Sequence, residues 1–126
     1  MKAHLLAPLI FALAQLCHAE SLQSSDLGWL VGTWQKTQDE DGTPPDTLRF
    51  RNDGTWVAYG PHCEERIYKY FVHGGDVFLF IPIEKGPVAL VYRPNSSHSA
   101  LTFTSPRTRN NAVYEKVANP ICGKDS

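Results

Sequence analysis

Beyond residue 16 this chain has no apolar run long enough to cross a bilayer, no run of Lys or Arg, and only three cysteines in all. A spanning helix needs roughly 20 apolar residues, so no transmembrane segment is predicted. The lack of a basic stripe sets aside nucleic acid and anionic membrane surfaces as partners, because both are held by clustered cations. Catalytic signatures are missing too. Gly-x-Ser-x-Gly, His-Glu-x-x-His, Cys-x-x-Cys and a glycine-rich phosphate loop are all absent. These gaps point to a protein that is not an enzyme and uses no cofactor.

The residues that carry chemistry elsewhere read here as ordinary ones. Glu64 and Glu65 are neighbours on an expected strand edge, so they face opposite ways and make a poor acid/base pair. His62, His73 and His98 fall in expected turns. Asp39-Glu40-Asp41 lacks the spacing of a calcium loop, and His62-Cys63-Glu64 has no second ligand pair at zinc-like spacing. No metal site is predicted. Asn95-Ser96-Ser97 is a glycosylation sequon, which matters only in a eukaryotic secretory pathway.

The N-terminus has its own pattern. Lys2 precedes an apolar run from Leu5 to Leu16, and Cys17-His18-Ala19 offers small residues where a signal peptidase cuts. Residues 1–19 are therefore expected to be a signal peptide, with the protein exported to a periplasm or secreted. A lipid anchor on Cys17 is the alternative, but bulky Leu16 fits that motif badly. The remaining 107 residues, 20–126, suit one small domain with 11 basic and 13 acidic side chains, a net charge of −2. They keep Cys63 and Cys122. An even count in an exported chain predicts a disulfide between them, tying the region after the third strand to the C-terminal tail.

Eight short strand patterns follow one another with local turns. They run over residues 31–37, 48–51, 55–59, 66–72, 77–81, 88–93, 101–104 and 112–117. Asn52-Asp53-Gly54 and Gly74-Gly75-Asp76 mark the tightest turns, since these residues tolerate positive φ. Asp26 is placed to cap one helical turn ahead of the first strand. A meander of eight closes best as an all-β, up-and-down antiparallel barrel, which leaves no open edge.

Gly32-Thr33-Trp34, with a short turn before it, resembles the opening signature of the small lipocalin-like (calycin) domains. The hairpin Phe50-Arg51-Asn52-Asp53-Gly54-Thr55-Trp56 is a second point of likeness, and Tyr114-Glu115-Lys116 stands where that group ends its last strand. The resemblance covers about Leu27 to Val117 and implies that Trp34 seals one end of the barrel. A basic residue, Lys116 or alternatively Arg109, would pack over it.

What is left is an aromatic lining. Trp56, Tyr68, Tyr70, Phe78, Phe80, Tyr92, Phe103 and Tyr114 are candidates to face inward. Trp56, Tyr68, Tyr70, Phe80 and Tyr92 would contact a small apolar or amphipathic molecule held inside the barrel. The alternative is a protein-binding module for an exported partner, with the interior filled by side chains. The loops Asp39 to Asp46 and Pro94 to Ser99 would then make the contacts.

Overall fold

The computed structural model describes residues 27–123. The expected signal peptide, Cys17 and the expected cap at Asp26 lie outside the described residues. Eight strands run β1 (Gly32–Asp39), β2 (Thr47–Phe50), β3 (Thr55–Tyr59), β4 (Glu65–His73), β5 (Asp76–Ile83), β6 (Gly86–Pro94), β7 (Ala100–Thr104) and β8 (Asn111–Lys116). Each pairs antiparallel with the next, and β1 pairs with β8, so the sheet is a closed up-and-down barrel.

Tight turns make the strands longer than the sequence pattern predicts. Gly74 and Gly75 both have positive φ, at 60° and 84°. That twist suits a two-residue hairpin, and it lets His73 pair with Asp76. Residues 84–85 turn β5 into β6 in the same short way, and Ile83 pairs with Gly86. Closure needs one irregularity. The β1–β8 register slips between Lys36 and Gln38, a bulge that bends β1 onto its last neighbour.

Alternation along each strand divides the side chains into two faces. Trp34, Leu48, Phe50, Trp56, Tyr70, Val77, Leu79, Tyr92, Leu101, Ala112 and Tyr114 form the buried interior, with Leu30 beneath them. Ala58, Tyr68, Ile81, Leu90 and Phe103 pack on that core while only partly buried. The outer face is polar over much of its area, with an apolar exception on β4 and β5.

Candidate functional site

One end of the barrel is shut. Leu27–Leu30 forms a turn closed by the Leu30 N–H on the Leu27 carbonyl at 3.0 Å. The Trp34 indole N–H donates to the Leu30 carbonyl at 2.8 Å, and the ring is wholly buried. Trp29 meets Trp34 edge-on at 6.4 Å and stacks on His98 at 4.2 Å. Lys116 pairs in register with Trp34 and holds its ammonium 5.5 Å from the ring centroid. Partial burial lowers its pKa. Gly32 adopts φ 134°, and a Cβ there would sit 3.4 Å from the Lys116 Cε. The glycine thus gives the lysine stem its path across the indole.

Arg109 does not belong to this cap. It lies in the β7–β8 turn at φ 63°, with its amide on the Ser105 carbonyl at 2.8 Å. That turn precedes β8, whereas Trp34 faces the end of β8, so the arginine sits at the opposite end of the barrel.

The interior is packed by rings. Trp56 is buried, 5.4 Å from the Tyr68 ring, and its indole N–H has no acceptor among the described residues. Tyr70 meets Phe50 edge-on at 5.2 Å and donates its hydroxyl to the Arg51 carbonyl at 2.7 Å. Tyr92 stacks on Phe103 at 5.1 Å and meets Tyr114 at 5.4 Å. Their hydroxyls hydrogen-bond each other, and Tyr114 also reaches Asp46. Burial first, then the Asp46 charge for Tyr92 and the Tyr92 and Asp46 neighbours for Tyr114, hold both phenols well above their ordinary value of 10.0. Trp56, Tyr70 and Tyr92 are therefore part of the packed core.

Phe80 is where the inward lining fails. It pairs with Ala89 and alternates with Leu79 and Ile81, both of which face the core. Phe80 and Phe78 instead point outward, and both stack on Phe71, at 5.2 and 4.9 Å. Five consecutive apolar residues, Val77 to Ile81, carry no alternation from which the face can be read.

This outer cluster borders a groove in the barrel wall. The β4–β5 pairing runs only from His73–Asp76 to Tyr70–Leu79, although both strands continue. The Tyr70 amide bonds the Gly54 carbonyl on the β3 side. By alternation, the backbone groups of Ile67 and Lys69 face β5. Extending the register places Pro82 opposite Ile67. Proline has no N–H to give, so the ladder cannot be carried to that position. Between the parted strands lies a cavity of about 500 Å³ lined by Ile67, Tyr68, Lys69, Phe80, Pro82 and Pro87. Ile67 is 53% exposed there, and Phe71 beside it 43%. Of the five residues expected to touch a ligand, the structure brings Tyr68 and Phe80 to this groove and leaves the other three inside.

The loops are tied to their neighbours. Asp41 accepts hydrogen bonds from Thr108 at 2.8 Å and Asn110 at 2.7 Å, and Glu40 accepts from the Asn111 amide. Asp39 pairs with Lys36 at 2.8 Å and bonds Thr43. Those hydrogen bonds hold its carboxyl far below the usual range. Asn95 accepts from the amides of Ser99 and Ala100. Cys63 and Cys122 are joined, with 5.4 Å between Cα atoms. The tail then crosses the outside of β1 to β3. Ile121 N–H donates to Gln35, Thr33 donates to the Gly123 carbonyl, and Gly123 lies against Tyr59. Val57, on this same outer face, is wholly buried.

Among the described residues no helix is long and apolar enough to cross a membrane, and no cluster of metal ligands occurs. Comparison with protein-family models, curated proteins and solved structures returns no match to the chain.

Proposed function

We propose that this protein is an exported, non-enzymatic, lipocalin-like carrier that holds a small apolar or amphipathic molecule in the groove between β4 and β5. The observation that carries the reading is the groove itself: about 500 Å³ walled by Ile67, Tyr68, Phe80, Pro82 and Pro87, with Lys69 its one charged lining residue. Its size falls within the roughly 300–1,000 Å³ of small-molecule sites. Ile67, 53% exposed, and the exposed side chains of Pro82 and Pro87 gain by being covered. Tyr68 joins the groove to the core, since its ring also rests against Trp56. Binding there would therefore alter indole emission.

The protein-binding alternative rested on the Asp39–Asp46 and Pro94–Ser99 loops. The carboxylates of Asp39, Glu40 and Asp41 and the Asn95 side chain are already occupied within the molecule. These contacts weigh toward the small-molecule reading. Export is supported by the apolar Leu5–Leu16 run and by the Cys63–Cys122 bond, which persists in oxidising compartments. An N-terminus at Glu20 in the recovered protein is the expected sequencing result.

Titration with dodecanol, followed by tryptophan emission, tests the binding. The expected result is a saturable shift in the native protein and its loss in Ile67→Asp, whose exposed position tolerates the charge. An unchanged titration in Ile67→Asp, or no shift in the native protein, contradicts the proposal.

A further inference from the structure

We infer, on top of that reading, that the ligand is a single-chain amphiphile with one negative charge, its acid group on Lys69 and its chain between Ile67 and Pro82. The groove walls supply no other charge: five of the six lining residues are Ile67, Tyr68, Phe80, Pro82 and Pro87. Lys69 forms no ion pair among the described residues, where the Lys36–Asp39 pair is the one salt bridge resolved for a lysine.

The acid nearest to it on the same face of β4 is Glu65. Glu65 pairs in register with Tyr59 on β3. With no salt bridge to it among the described residues, Lys69 lines the apolar cavity as an unmatched cation. A long lysine stem runs along apolar surface and leaves its ammonium at the outer edge of the groove. An anion there, with its chain running from Lys69 toward Ile67 and Pro82 at the open end, matches both parts of the site. A neutral chain covers the walls and leaves the cation unmatched, and a cationic chain is repelled by it. Beside low-dielectric walls the pairing is stronger than in open water.

One cation specifies one charge, and one groove closed at its inner end by the Tyr70–Leu79 pairing takes one chain. The occupant is thus a free single-chain acid, not a phospholipid in a bilayer.

The test compares dodecanoate, dodecanol and dodecyltrimethylammonium, the two ions below their micellar concentrations and the alcohol below its solubility limit, by calorimetry on residues 20–126. The expected order is dodecanoate tightest, dodecanol weaker, and the cation weakest. Lys69→Gln should weaken dodecanoate roughly three- to tenfold, more than it weakens dodecanol, as expected for one partly exposed charge pair. Lys69→Glu should reverse the preference toward the cation. Equal affinity for dodecanoate and dodecanol in the native protein overturns this inference and leaves the groove reading intact. No binding of any of the three overturns the groove reading itself. Co-sedimentation with anionic phospholipid vesicles, abolished by Lys69→Gln, overturns the free-acid assignment in favour of a membrane surface.

Discussion

Two large indoles, Trp34 and Trp56, are both almost completely buried, and they differ in one atom's surroundings. The Trp34 N–H is bonded to the Leu30 carbonyl, and the Trp56 N–H has no acceptor among the described residues. A buried donor without a partner costs about 1–3 kcal/mol, and breaking a good bond strands the carbonyl as well. Replacing each by Phe removes similar apolar area. Trp34→Phe should therefore destabilise the protein by about 1–3 kcal/mol more than Trp56→Phe, read from urea midpoints. Equal losses would mean that the Trp56 N–H is already satisfied. The role of Trp34 was legible from Gly32-Thr33-Trp34 only together with the hairpin Phe50–Trp56 and the eight-strand pattern that follow it. The choice of Lys116 over Arg109 was not legible. Both are basic and near the C-terminus, and only the β1–β8 register shows which one faces the ring.

At the level of elements, all eight strands were readable from alternation and turn residues. The site was less so. Tyr68 could be assigned a face because Ile67, Lys69 and Phe71 alternate with it, whereas Phe80 sits in an unbroken apolar run. The groove depends on where one ladder stops, which is a relation between two strands. Its trace in the sequence is Pro82, one residue past the expected end of the fifth strand, which has no N–H to give to a ladder. This assigns Pro82 a definite role. Pro82→Val restores an N–H facing Ile67 and should extend the β4–β5 ladder toward the mouth. New amide protection at residue 82 by hydrogen exchange, together with at least tenfold weaker dodecanol binding, is the expected pair of results. Retained binding with a protected amide would separate the groove from the ladder.

For the whole molecule, the packed interior sets the response to pH. Burial raises the pKa values of Tyr70, Tyr92 and Tyr114, so the folded state favours their neutral forms. The stability this confers is complete below the unfolded value of 10.0 and is lost as pH rises toward the folded values. Tyrosinate absorbance from Tyr92 and Tyr114 should appear only together with loss of circular dichroism, above pH 10. Tyr92→Phe with Tyr114→Phe should move that alkaline transition upward. Ionisation of either phenol in a folded barrel would contradict the packing described for this end of the core.

The barrel interior is packed with side chains, and the proposed ligand lies in its wall. Amide chemical-shift mapping with dodecanol measures this directly. The expected perturbations cluster at Ile67, Tyr68, Lys69, Phe80 and Ile81. Perturbations centred instead on Tyr92, Leu101 and Tyr114 would place the ligand inside the barrel and contradict it.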